Sequence, residues 1–185
     1  MKRFTDIVIS LILLIIIFLP FIIICMTIFF SDGAPFLFYS KRVGKNKKIF
    51  LMPKFRTMKK NTPQLATHLL SDPDKHLIFV GKFLRKYSLD ELPQLFNVLI
   101  GDMSMVGPRP NLFNQEELIQ YRTKFDVYSI KPGITGLAQI SNIDMSTPEL
   151  LATYDQKMLN NLNLRCYFYY IFKTISGSGK GDAVK

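Results

Sequence analysis

From Ile7 to Phe30 the chain runs for 24 residues without a charge. As a straight helix that stretch is about 36 Å long, enough to cross the hydrocarbon core of a bilayer. It is too long for a removable secretory leader, and no small-residue cleavage site follows it. A soluble fold would have to cover every side of such a helix, so the segment is assigned to lipid. Lys2 and Arg3 precede it, and residues 31–60 carry nine Lys or Arg against the single acid Asp32. The excess of basic residues puts the C-terminal side in the cytoplasm. A crossing helix would export Lys2 and Arg3, whereas a helix that enters and returns keeps both basic flanks on one side. Pro20 lies near the middle, and its missing N–H and ring clash are expected to kink or break the helix there. Charge and proline together favour the re-entrant form. The alternative is an ordinary anchor that tolerates its proline.

A chain of 185 residues is one domain with an appendage. Its net charge of +10 and pI near 9.6 call for an anionic partner: nucleic acid, phospholipid head groups or a phosphorylated substrate. No helix-turn-helix, zinc or RNA-binding signature accompanies the charge, which argues against nucleic acid. Cys25 and Cys166 make no disulfide framework, and His68 and His76 lack metal-ligand spacing and read as surface residues.

After a turn at residues 31–35, Phe36 to Tyr39 and Ile49 to Met52 read as strands flanking a hairpin tip at Val43 to Lys48. Lys54 and Arg56 are two residues apart on one face of an extended chain, and are the candidate substrate contacts in a basic segment otherwise suited to anionic lipid. Residues 61–78 read as a surface loop with Pro63 and Pro73. Ile78 to Tyr87 has the pattern of an amphipathic helix with Lys82, Arg85 and Lys86 on its polar side.

The next stretch carries the chemistry. Leu89, Leu92, Leu95, Phe96 and Leu99 recur at helical spacing, and Ser88 with Glu91 has the spacing of a capping box. Pro93 conflicts with that register unless the helix starts a residue or two later. Asp90 and Glu91 then sit in or beside a first turn. There they either complement the helix dipole or act as nucleophile and metal ligand. Adjacent ionised carboxylates favour a divalent cation or arginines nearby, and Arg85 lies just upstream. Downstream, Pro108 and Pro110 flank Arg109 and hold it extended, so its guanidinium is either an exposed turn residue or a presented phosphate ligand. Lys131 to Gly136 is a second constrained turn. Asn114 with Glu117 repeats the capping-box spacing and opens a helix to about Phe125. Ser146 to Glu149, with Pro148 near N1, starts another that runs to about Leu159. Leu164 to Ile175 reads as an interfacial helix with tyrosines and basic edges.

These motifs, in this order, resemble the bacterial sugar transferases of the small monotopic phosphoglycosyl transferase group. The resemblance covers Lys2 to about Ser176 and rests on several marks. They are the basic-flanked apolar segment with its proline, Lys54-Phe55-Arg56-Thr57-Met58, Arg85 with Ser88-Leu89-Asp90-Glu91-Leu92-Pro93-Gln94, Gly101-Asp102-Met103-Ser104, Val106-Gly107-Pro108-Arg109-Pro110, and Lys131 to Gly136 with Ala138-Gln139. It implies a mostly helical α+β monotopic membrane protein. A re-entrant helix over residues 1–32 would precede a catalytic domain over 33–176, with short strands and interfacial helices, on the cytoplasmic face of the bacterial inner membrane. Residues 177–185 read as a tail. The implied reaction moves a sugar-1-phosphate from a UDP-sugar to undecaprenyl phosphate and releases UMP. In it Asp90 attacks the sugar-bearing phosphate, Glu91 holds Mg²⁺, and Arg85 and Arg109 steady phosphate or uridine. Two departures bear on the sugar. Ile140 to Asp144 lacks the Gly-Arg often found there, and Tyr169 and Tyr170 stand where many relatives have an acid. A non-catalytic tether that recruits acidic lipids or a partner, and a membrane-associated nucleic-acid binder, are the readings from other classes. The tether reading requires Asp90 and Arg109 to be merely structural.

Overall fold

The computed structural model describes residues 2–60, 62 and 73–177. Most of the loop expected at 61–78, with Pro63 and His68, and the tail from 178 onward lie outside the described residues.

Helix α1, Lys2–Asp32, is long and apolar enough to cross a membrane, and it continues without interruption through Pro20. The expected break there is not observed. Contacts on both sides of Pro20 oppose it: Leu13 and Ile17 pack on one core cluster, while Phe21, Ile24 and Ile28 pack on a second. Phe21 lies against Phe55, with ring centroids 4.7 Å apart. Arg3, Asp6, Ser10, Leu13, Ile17, Phe21, Ile24 and Ile28 are three or four residues apart, so they share one helix face, and that face lies on the rest of the protein. The opposite face, with Ile15, Ile16, Phe18 and Leu19, is exposed and apolar. Hydropathy alone does not distinguish the two faces, because both are rich in Ile and Leu.

Strands β1, Leu37–Val43, and β2, Ile49–Phe55, form the expected hairpin, pairing antiparallel across a tight tip at Lys45–Lys47. Helix α2, Gly81–Lys86, is shorter than its pattern suggests, since the Ile78 N–H is taken by the Thr57 carbonyl at 3.0 Å beside a bridge between Met58 and Leu77. Leu89–Gln94 is a 3-10 turn, and α3, Leu95–Ile100, follows it. Strands β3, Ser104–Val106, and β4, Gly133–Thr135, pair in parallel. Their backbones cross so closely that a β-carbon on Gly133 would lie 2.0 Å from the Gly107 nitrogen, which restricts that position to glycine.

Helix α4 is Glu116–Lys124; Gln115 rather than Asn114 stands at its N-cap position, and no side chain caps it there. Helices α5, Leu137–Ile140, and α6, Pro148–Asn161, follow, the latter with proline in its first turn as expected. Helix α7, Leu164–Ile175, begins where the Asn163 side chain accepts the Cys166 N–H at 2.9 Å. It buries Tyr167 and Tyr170 and exposes Phe168, Tyr169 and Phe172. The result is a mostly helical α+β fold with two small two-stranded sheets.

Asp6 joins three elements. Its carboxylate accepts the Met105 N–H at 2.8 Å, the Ser104 hydroxyl at 2.9 Å and the Tyr167 hydroxyl, tying α1 to β3 and α7. Asp6 is 3% exposed, so these donors have no water to fall back on. Asp6→Ala should therefore destabilise the detergent-solubilised protein by about 2–4 kcal/mol, read as a lowered unfolding midpoint. An unchanged midpoint would mean that this network contributes nothing.

Candidate active site

The site is assembled from four stretches around the Leu89–Gln94 turn. Ser88 enters that turn in the left-handed region, with φ 53° and no side-chain cap, so the predicted capping box does not form. Pro93 accounts for the local geometry. It has no N–H to give to a helical bond, and the chain before it takes a 3-10 turn that needs none from it. The register frees the Glu91 side chain for another task. Glu91 Oε1 accepts from Lys54 Nζ at 2.8 Å and from Arg109 Nη2 at 2.5 Å, and Oε2 lies 3.4 Å from Arg109 Nη1. Glu91 is thus a bridge between β2 and the turn after β3.

Its neighbour is set differently. Asp90 is 9% exposed, and no side chain among the described residues hydrogen-bonds to its carboxylate. Burial pushes its pKa up to about 6; the Glu91 charge adds to this, and Lys54 and Arg85 pull against it. Burial would raise Glu91 as well, but the Arg109 and Lys54 charges and their hydrogen bonds overcome it and hold that carboxyl well below the usual range. Arg85, in the last turn of α2, donates through Nε to the Thr57 hydroxyl at 2.9 Å, which fixes its stem on the segment after β2.

Of the residues expected at the site, Asp90, Glu91, Lys54, Arg85 and Arg109 act on one another. Pro108 and Pro110 are buried on either side of Arg109 and anchor its turn: the Pro108 carbonyl accepts the Gly133 N–H at 2.9 Å, and the Pro110 carbonyl accepts Arg42 Nη1 at 3.1 Å. Arg56 is not brought there. It is buried, donates to the Pro35 carbonyl at 2.6 Å and pairs with Asp32 at the end of α1. Its task is to hold that end of the helix.

Sequence reasoning missed the support under Arg109. Arg122 of α4 and Asp155 of α6 form a fully buried ion pair at 2.7 Å. Arg122 Nη1 also donates at 2.9 Å to the Arg109 carbonyl and to Asn111 Oδ1, which accepts the Tyr128 hydroxyl at 3.0 Å as well. The residues of this network are scattered over four elements and loops, so no local spacing announces them.

Among the described residues no group of three His, Cys, Asp or Glu side chains converges as a metal cage. A cage is not what Mg²⁺ usually takes. One or two carboxylates with substrate phosphates and water suffice, and Glu91 Oε2, with its single long contact, offers such an oxygen.

Comparison with known proteins gives concordant results. The profile of the family described as bacterial sugar transferase matches residues 1–180. An undecaprenyl-phosphate galactose phosphotransferase of Salmonella typhimurium is 39% identical over 94% of this chain and 39% of its own length. The exopolysaccharide production protein ExoY of Sinorhizobium fredii is 35% identical over 94% of this chain and 83% of its own length. A UDP-glucose:undecaprenyl-phosphate glucose-1-phosphate transferase of Klebsiella pneumoniae is 41% identical over 76% of this chain and 30% of its own length. This chain therefore spans about two-fifths of the Salmonella relative.

The raised pKa of Asp90 has a consequence for stability. The folded state binds this proton more tightly than the unfolded chain does, so stability is lost as pH rises from about 4 to about 6 and stays lost above. Asp90→Asn cannot ionise. It should match the wild type below pH 4 and exceed it above pH 6 by about 3 kcal/mol, measured by chemical denaturation in detergent across that range. Parity at every pH would show that the carboxylate is not desolvated.

Proposed function

The chain belongs to the bacterial sugar transferase family, and from that premise we propose that it moves a sugar-1-phosphate from a UDP-sugar to undecaprenyl phosphate. The observation that carries this reading is the contrast between the two adjacent carboxylates. Glu91 is held ionised by Lys54 and Arg109, while Asp90 is buried near Lys54 and Arg85 with no side chain among the described residues bonded to its oxygens. A desolvated carboxylate with free lone pairs near cations is suited to attack phosphorus.

In the proposed sequence, an Asp90 oxygen attacks the phosphorus that bears the sugar. The new O–P bond forms as the bond to the second phosphate breaks, and UMP leaves with that bridging oxygen. An oxygen of undecaprenyl phosphate then attacks the same phosphorus, and Asp90 departs as a carboxylate. Arg109 and Lys54 steady the diphosphate, and Arg85 lends charge from the α2 side. Glu91 would hold Mg²⁺, which supplies charge neutralisation on the diphosphate when bound. The names of the relatives support the lipid phosphate and the nucleotide sugar as substrates.

The two ends of α1 support a course that keeps both of them on one side of the membrane. Arg3 and Asp6 at one end bond to α3 and β3, and Asp32 at the other pairs with Arg56 beside β2. A crossing helix would leave one of these ends across about 30 Å of hydrocarbon from the folded part it is bonded to. The catalytic part, residues 33–176, then lies on the cytoplasmic face, where a soluble nucleotide sugar meets a lipid phosphate.

Two outcomes test this function. Mixing the detergent-solubilised protein with a panel of UDP-sugars and Mg²⁺, without lipid phosphate, should add the mass of one sugar phosphate to the wild type and nothing to Asp90→Asn. Turnover without an adduct would instead indicate direct transfer and would remove Asp90 from the nucleophile's role. For the topology, single cysteines replacing Lys2 and Lys60, with Cys25 and Cys166 removed, should react with a membrane-impermeant thiol reagent only from the cytoplasmic side. Labelling of position 2 from the periplasmic side would establish a crossing helix.

A further inference from the structure

At the N-terminal end of α1 two cations meet over a bare stretch of backbone. Arg3 donates to the Val98 carbonyl and, at 2.6 Å, to the Leu99 carbonyl, capping α3. Gly101 follows that helix as its C-cap, with φ +99°. A β-carbon there would lie 3.2 Å from Arg3 Nη2 and 3.3 Å from Lys131 Nζ, so both cations address the one spot that glycine leaves open.

Lys131 comes from the turn before β4, and its ammonium makes no hydrogen bond or ion pair among the described residues. Burial lowers its pKa first, then the Arg3 and Lys45 charges, while Asp6 and Asp102 pull the other way. Asp6 is already committed to Ser104, Met105 and Tyr167. The lysine therefore has no ion pair among the described residues, and the Asp102 carboxylate acts on it only through space.

The surroundings indicate what supplies an anion. Phe4 is 73% exposed and Ile100 72%, and they adjoin Arg3 and Gly101 in the chain. The cations thus stand where the apolar surface of α1 gives way to the polar part, which in a bilayer is the level of the head groups.

We propose that Arg3 and Lys131, over the bare backbone of Gly101, form a binding site for the phosphate of an anionic phospholipid head group. The guanidinium and ammonium hydrogen-bond the phosphodiester oxygens, and Phe4 and Ile100 lie against the acyl chains. The site is at the far end of the Leu89–Gln94 turn and α3 from Asp90, so it is separate from the reaction centre. It rests on the membrane placement proposed above and not on the chemistry.

The test is a native mass spectrometric titration of the full chain in detergent with phosphatidylglycerol, phosphatidylcholine and inorganic phosphate. The wild type should retain one phosphatidylglycerol at concentrations where phosphatidylcholine leaves no adduct. Lys131→Gln should weaken that binding about fivefold or more, the factor expected for one cation at a lipid surface. Lys131→Arg should restore it, and Lys124→Gln, which removes the same charge from exposed α4, should leave it intact. Equal weakening by Lys131→Gln and Lys124→Gln would reduce the effect to diffuse attraction and overturn the site. So would failure of Lys131→Arg to restore binding. Displacement of the lipid by millimolar phosphate would overturn the lipid as its ligand. Loss of transfer activity with lipid binding intact would sink only the reaction, and the converse only this site.

Discussion

The Glu91 carboxylate is the joint on which the site depends. It takes a lysine from β2 and an arginine from the turn after β3, so three stretches far apart in sequence meet on one pair of oxygens. A charge this enclosed is tolerable only with both partners present, because removing either leaves the others incompletely compensated in a poorly solvated place. The same joint defines Asp90. Since Glu91 takes the direct bonds of Lys54 and Arg109, Asp90 feels Lys54 only through space, and no cation among the described residues is bonded to its oxygens. One environment pushes two adjacent carboxyls in opposite directions, and such a separation is how a site divides roles between like groups.

Much of the fold was legible because its signals are local. The uncharged run of α1, the hairpin tip, the proline opening α6 and the aromatic α7 each announce themselves within a few residues, and each stands close to where it was read. The failures are equally specific. Ser88 and Glu91 have capping-box spacing, yet Ser88 takes a left-handed conformation and Glu91 is drawn off by two cations. Pro20 carries its usual penalty, but contacts before and after it hold α1 together. In both cases tertiary contacts override a local preference. Asp6 stands one residue ahead of the uncharged run, which gave little reason to expect a carboxylate tying α1 to β3 and α7.

The site divides in the same way. Asp90, Glu91, Arg85 and Arg109 were legible from motif and spacing, and Lys54 as a cation on one face of an extended chain. Arg56 was paired with Lys54 by strand alternation, but β2 ends at Phe55, so parity no longer governs the next side chain. Asp32 then captures it. The Arg122–Asp155 pair could not be found at all from spacing, because it exists only once α4 lies on α6.

That buried pair bears on how the site would accommodate the diphosphate of the proposed substrate. Lys54, Arg85 and Arg109 face Asp90 and Glu91, leaving one net positive charge before substrate arrives. A nucleoside diphosphate brings more negative charge than that, so cations now held by Glu91 must be shared with it. Arg109 is built for the exchange. One arm of its guanidinium is 2.5 Å from Glu91 and the other 3.4 Å, so the looser arm can turn to phosphate while the tighter keeps its hold. Arg122 fixes the Arg109 carbonyl, and Pro108 and Pro110 fix the chain on both sides. The rearrangement is thereby confined to the side chain. A rigid backbone beneath a cation that can share its donors would let the site take up the proposed diphosphate without moving Asp90.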